Sequence, residues 1–372
     1  MASRANPIEN IMFIDTLCRL GVSYHFEKDI TEQLEKLFDC PDFNQKIRQD
    51  GGDLCTVGIV FQVFRLFGFK LSADVFKNFE DEDGKFKAHL VADARGMLSL
   101  YEAAQWRIPG EDILDEALAF SNSQLEEISS RSSPHLAIPI KKPLKHPFHK
   151  GISRIETRQY ISYYEAEEKC DATLLEFAKI DFNLLQMLHR QELACVTRWH
   201  KEMEVESKIT YTRHRVAEAY LWALGTYFEP EYSQALAIIV ILYTALDDVY
   251  DAYGTKEELE IFTHALEKWL PEAPTGIPDS MKHFYRVMVG FYEKIEHDLE
   301  KEGRSGCGFH LKKSLKATAN GYMQEAKWLK KDYTAKFDEY KENAIVSSVY
   351  YAMMAVTFAG MEMSQNLMLL NG

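Results

Sequence analysis

Three aspartates, Asp247, Asp248 and Asp251, close an apolar run in LAIIVILYTALDDVYDAYG, residues 236 to 254. Asp247 and Asp251 are four residues apart, so on an α-helix they share a face with Cα atoms about 6 Å apart, and Asp248 lies on the adjoining edge. Like charges at that spacing repel, and negative charge near a helix C-terminus opposes the macrodipole, each effect costing roughly a few tenths of a kcal/mol. A hard divalent cation relieves this cost. Carboxylate oxygens suit Mg²⁺ or Mn²⁺, and paired ions about 3.5 to 4 Å apart can be bridged from one helical face. The alternative is a solvated acidic helix end with no chemistry. Upstream, Arg213 and Arg215 flank His214 and are able to clamp diphosphate oxygens through charge-assisted bonds; the alternative is surface charge with neighbouring acid partners. Trp222 is either a core residue beside Tyr220 or, facing a cavity, a ring that stabilises a carbocation by about 2 kcal/mol.

The elements that position these residues read as helices. Apolar residues recur at three and four residues, as in Ile11, Ile14, Leu17, Cys18 and in Leu174, Phe177, Ile180. The spacing predicts an all-α chain, with long helices over 172–204, 213–227, 233–252 and 337–370, and Gly254 as the terminator of the helix that carries the aspartates. Ser72-Ala73-Asp74 and Gly110-Glu111-Asp112 open two more helices, and Glu80 to Gly84 is a solvated loop. Between Ser129 and His146, Ser132-Ser133-Pro134, Pro139 and Lys141-Lys142-Pro143, with Pro147 just after, break the periodicity, which places a domain boundary there: residues 1–140 and 141–372. Residues 345–370 are apolar and Met-rich with no polar closing segment, so part of their packing is expected outside this chain.

A net charge of -14 disfavours nucleic acid and anionic lipid as partners, and an anionic ligand then needs metal ions to help hold it. Six scattered cysteines without CxxC spacing read as reduced thiols. The longest apolar run, Ala235 to Leu246, is too short to span a bilayer, and no signal peptide or convincing transit peptide opens the chain. Walker, GxSxG, HExxH and GxGxxG motifs are missing, and His146 with His149 and Cys307 with His310 do not make a zinc site.

RWHKEM at 198–203, the RHR segment, YLWALGTYFEPEYSQA at 220–235, LDDVYDAYGT at 246–255 and NGYMQEAKW at 320–328 stand in the order of the plant class I terpene synthases, as do LGVSYHFEKDI at 20–30 and DGGDLCTVGIVFQVFRLFGF at 50–69. The chain resembles that family over essentially its whole length. TRHRVAEAYLW, EKEGRSGCGFHLKKSL and SLYEAAQW are most similar to the casbene and cembrene-type diterpene synthases. The resemblance implies a partial N-terminal α-barrel-like helical domain and a partial C-terminal class I bundle. It implies Mg²⁺, with Mn²⁺ as a second possibility, held by Asp247, Asp248 and Asp251, with Glu325 supporting through water. Arg213 and Arg215 then guard the diphosphate, Trp222 lines the pocket, and Ser347 and Ser348 lie near a helix break. The expected partner is a prenyl diphosphate, bound by a monomer. The expected reaction is ionisation and cyclisation of geranylgeranyl diphosphate to a macrocyclic diterpene hydrocarbon. The alternatives are a sesquiterpene synthase using farnesyl diphosphate, or an inactive member. Diterpene relatives point to plastids, with the cytoplasm as the alternative in the absence of a transit peptide. The chain departs from the pattern in three respects, which together imply truncation at both ends. An Arg-Arg pair followed by Trp is missing near the start, the segment from Gln234 to Asp247 is about three residues short, and the second metal motif is not found. Asn343 with Ser347 is its nearest spacing match, but Ala344 and Tyr351 stand where acids belong.

Overall fold

The computed structural model describes residues 6–49, 52–131, 134–226, 233–301 and 303–360. Among these the chain is helical, with one isolated antiparallel bridge between Glu80 and Phe86 around the acidic loop. Contacts group residues 1–183 and 184–372 into two units, the division falling inside one long helix, α9 (Ala172–Glu202).

The first unit contains α1 (Pro7–Arg19), α2 (Glu27–Phe38), α3 (Pro41–Gln49), α4 (Leu54–Leu66), α5 (Ala94–Ala104), α6 (Asp112–Arg131), α7 (Pro134–Lys145), α8 (Ser153–Glu165) and the start of α9. Local chemistry sets the starts. Asn6 accepts from the Ile8 amide at 3.1 Å with Pro7 in the first turn, and Asp53 and Asp93 cap α4 and α5 in the same way. Ile11, Ile14 and Leu17 of α1 are buried in a core with Phe61 and Phe64 of α4 and Leu100 of α5. Ser72 opens a 3₁₀ turn, Ala73–Phe79, rather than an α-helix.

The Pro-rich stretch corrects the expectation of a long helical break. Residues 132–133 lie outside the described residues, but α6 runs to Arg131 and α7 spans Pro134–Lys145. Pro134 sits at the first helical position, where a missing N–H costs nothing, so proline here starts a helix instead of ending one.

On α9 the expected stripe of Leu174, Phe177 and Ile180 is not the buried one: Phe177 and Ile180 are exposed. The buried face runs through Ala178, Asp181, Leu185, His189, Glu192, Val196 and His200. Two of the polar side chains on this face, Asp181 and Glu192, accept from tyrosine hydroxyls. Tyr24 donates to Asp181 at 2.5 Å in the first unit, and Tyr220 donates to Glu192 at 2.5 Å in the second.

The second unit contains the rest of α9, then α10 (Val205–Lys208), α11 (Val216–Thr226), α12 (Ser233–Asp248), α13 (Lys256–Lys268), α14 (Asp279–Lys301), α15 (Ser305–Lys330), α16 (Phe337–Ser347) and α17 (Tyr350–Gly360). α12 is buried nearly all round, through Leu236, Ile239, Leu242 and Leu246, and packs on α11 and α17. α15 packs against α13, α14, α16 and α17. The helix expected over 337–370 is two helices, separated where Val349 takes φ 67°. Residues 361–372 of that apolar stretch lie outside the described residues. So do 227–232 of the YLWALGTYFEPEYSQA segment. No helix among the described residues is long and apolar enough to cross a membrane.

Candidate active site

α12 carries Asp247 and Asp248 as its last two residues, and the chain then continues in one π-helical turn, Val249–Tyr253, that contains Asp251. The Gly254 amide closes this turn by donating to the Val249 carbonyl at 2.9 Å. The wider winding rotates Asp251 relative to the position an uninterrupted α-helix gives it. Gly254 ends the turn with φ -81° and ψ 134°, so its lack of a side chain serves packing and not a left-handed conformation. A Cβ there would lie 2.5 Å from Leu259 Cδ2 and 3.0 Å from the Val249 carbonyl oxygen. Thr255 then starts α13 with a reciprocal capping box to Glu258.

Arg213 meets the aspartates from a loop. Val216, not Arg213, begins α11, so the two arginines precede the helix that the spacing predicts to include them. Arg213 Nη2 donates to Asp247 Oδ2 at 2.8 Å, Nε donates to Asp248 Oδ1 at 2.7 Å, and the Arg213 backbone amide donates to Asp248 Oδ2 at 2.9 Å. Both oxygens of Asp248 are thus engaged by one residue, and Asp248 is only 8% exposed. Grouped with the metal ligands on sequence, Asp248 instead anchors the Arg213 loop. Arg215 does not join this cluster and pairs with Glu218 at 3.2 Å on the surface. Trp222 is 56% exposed and makes no ring contact among the described residues, whereas Tyr220 is buried. His214 sits edge-on to the buried His200 ring at 5.6 Å.

Charge crowding marks the acid cluster. Burial and then the neighbouring Asp251 carboxylate push Asp247 above the ordinary carboxylate range, against the pull of Arg213. Asp251 is raised by burial and then by Glu325 of α15. The buried Tyr322 phenol is pushed up by burial and then by Asp247. Glu325 is held by Asn343 and Ser347 of α16, neither of which sequence reasoning connected with it.

Among the described residues no group of three or more His, Cys, Asp or Glu side chains converges as a ready metal cage. Asp248 has turned to Arg213, and the π turn displaces Asp251. Two mutually repelling carboxylates, Asp247 and Asp251, nonetheless fit Mg²⁺, which commonly takes one or two carboxylates and completes its shell with water and phosphate oxygens.

Two family profiles match the chain: the terpene synthase N-terminal domain over residues 1–146 and the terpene synthase family metal binding domain over residues 201–369. An alpha-humulene/(-)-(E)-beta-caryophyllene synthase of Arabidopsis thaliana is 76% identical over 366 residues, 97% of this chain and 67% of the relative. The chain belongs to the plant terpene synthase family. A probable terpene synthase of Ricinus communis is 44% identical over 97% of this chain and 67% of its own length. Isoprene synthase from grey poplar, Populus x canescens, solved with three Mg²⁺ ions and dimethylallyl-S-thiolodiphosphate, superposes with a TM-score of 0.89 at 32% identity, covering 99% of this chain and 71% of that one. The chain spans about two thirds of the length of these relatives.

These findings correct the diterpene expectation. The relative at 76% identity makes humulene and caryophyllene, and others are (-)-5-epieremophilene, hedycaryol and germacrene synthases. The casbene-like segments cover the RHR loop with α11, the α14–α15 connection and the end of α5 in the first unit, and similarity in such segments carries no measure of substrate chain length.

Proposed function

We propose that this terpene synthase takes farnesyl diphosphate and, with Mg²⁺, ionises it to diphosphate and an allylic cation that closes to a cyclic sesquiterpene hydrocarbon. The observation that carries this reading is the Asp247–Asp251 pair with Arg213 at the end of α12, in a chain 76% identical to a humulene/caryophyllene synthase.

Asp247 and Asp251 would hold the cation, and Glu325 would support it. The metal, when bound, supplies positive charge that stabilises the departing diphosphate. Arg213 adds a second cation beside the same place, and Asp248 fixes its loop by engaging the guanidinium and the backbone amide together. The C–O bond breaks with both electrons going to diphosphate, a π bond of the tail attacks the allylic cation, and loss of a proton returns a neutral hydrocarbon. For that last phase the protein would supply an apolar surround that keeps water from the cation. The chain would act as a monomer.

Incubating the chain separately with farnesyl and geranylgeranyl diphosphate in MgCl₂, with gas chromatography of the extract and assay of released diphosphate, tests this reading. A C15 hydrocarbon from farnesyl diphosphate is the expected result. No diphosphate release from the C15 substrate overturns it.

A further inference from the structure

Glu325 is carried by α15, which packs on the π turn that holds Asp251, with the Tyr322 ring of α15 5.8 Å from the Tyr250 ring of that turn, and it is not left to find its own position. Its Oε1 accepts from Ser347 Oγ at 2.6 Å and from Asn343 Nδ2 at 3.0 Å, while the same Asn343 amide nitrogen donates to the Gly321 carbonyl at 3.1 Å. Asn343 and Ser347 are four residues apart on α16, so their side chains stack on one face of the helix and converge on one oxygen. α15 and α16 come close enough for this because Gly321 has no side chain: an added Cβ would lie 3.2 Å from Ser347 Cβ.

We propose that Asn343 and Ser347 are positioning residues that hold the Glu325 carboxylate at the Asp251 edge of the acid cluster, so that α16 supports the cation-binding end of the bundle. The inference rests on the Mg²⁺-dependent reading above and names residues that act on it from a separate helix. The chemistry of the two donors decides the point. A lysine or arginine in their place would fix Glu325 equally well but would cancel its charge, as Arg213 does for Asp248. An amide and a hydroxyl fix the side chain and leave the full negative charge in place. Both donors go to Oε1, and Oε2 has no hydrogen-bond partner among the described residues. A glutamate loses side-chain rotamer freedom when fixed. Here that ordering is complete before any cation arrives, which is how supporting hydrogen bonds around a metal site raise its affinity.

Calorimetric titration of MgCl₂ into the chain with inorganic pyrophosphate present tests this without reliance on turnover. Ser347→Ala and Asn343→Leu are each expected to weaken Mg²⁺ binding by about ten-fold, the lower end of what loss of a supporting hydrogen bond costs a metal site. Ser347→Thr retains the hydroxyl and should restore parental affinity. A mere tie between α15 and α16 would show in the melting temperature and leave the Mg²⁺ affinity unmoved. Should Asn343→Leu lower the melting temperature strongly, the Ser347→Ala and Ser347→Thr pair still decides. Asp251→Asn separates the two layers of the argument. If it abolishes binding while Ser347→Ala titrates like the parent, the inference is overturned and the metal reading stands. If Asp251→Asn also titrates like the parent, the metal reading fails and this inference falls with it.

Discussion

Asp247 and Asp248 are neighbours in sequence and do different work. Asp247 shares Arg213 and remains close to Asp251, whereas both oxygens of Asp248 are engaged by Arg213. Asp247→Asn should therefore lower diphosphate release by more than 100-fold with little change in melting, because it removes a charge whose neighbours already repel it. Asp248→Ala should show the opposite balance in its first effect: a loss of about 1 to 3 kcal/mol in urea unfolding, the range for hydrogen bonds to a charged group, discounted toward the low end because Arg213 is partly exposed. A second residue-scale prediction concerns the first unit. Glu102 is 3% exposed beside Arg19, and burial raises its pKa to about 7, opposed by Arg19 and by the Phe148 amide that donates to it at 3.1 Å. A carboxyl raised on folding favours the folded state when protonated, so its contribution is full below the ordinary carboxylate range and is lost as pH rises through about 7. Chemical denaturation followed by circular dichroism should show stability falling between about pH 4.5 and 7 and levelling off above that, and Glu102→Gln should flatten that fall. An unchanged slope in the variant removes Glu102 as the cause.

At the scale of elements, the π turn after α12 is the feature that period-3.6 reasoning does not contain. Its i to i+5 bond exists because Gly254 lets Leu259 and the Val249 carbonyl approach where a Cβ would collide. Gly254→Ala should destabilise the second unit by about 1 to 3 kcal/mol, the usual cost of overpacking, and should shift Asp251 with the turn. Thermal melting checks the first part and Mg²⁺ titration the second. The break between α16 and α17 has a similar origin. Val349 takes a left-handed conformation that the run of apolar residues from Ile345 onward does not announce, although the family resemblance placed a helix break near Ser347 and Ser348, where α16 ends. Of the helix starts expected from sequence, Asp112 opens α6, whereas Ser72 opens a 3₁₀ turn and α11 begins three residues after Arg213; Asn6, Asp53, Asp93 and Thr255 each cap a helix through their own side chain.

For the whole molecule, the formal charge of -14 and a pI near 5.4 set behaviour that needs no fold. The chain should bind an anion exchanger at pH 7.5, pass through immobilised heparin, and reach its lowest solubility near its pI; retention on heparin at 0.15 M salt would contradict the charge argument. All six cysteines are free and half-buried, with burial pushing the Cys18 and Cys55 thiols up, in keeping with the absence of any paired spacing. The all-α class and the family were contained in the sequence alone, because apolar spacing and motif order are properties of near neighbours along the chain. The partners of the charged side chains were decided only by tertiary structure. Whether Arg213 meets Asp248, whether Glu325 is reached by Asn343 and Ser347, and how much room the isoprenoid tail has all depend on helices 18 to 35 residues apart or more meeting in space. A hydrogen bond reports the final distance between two atoms, and no local pattern encodes that distance.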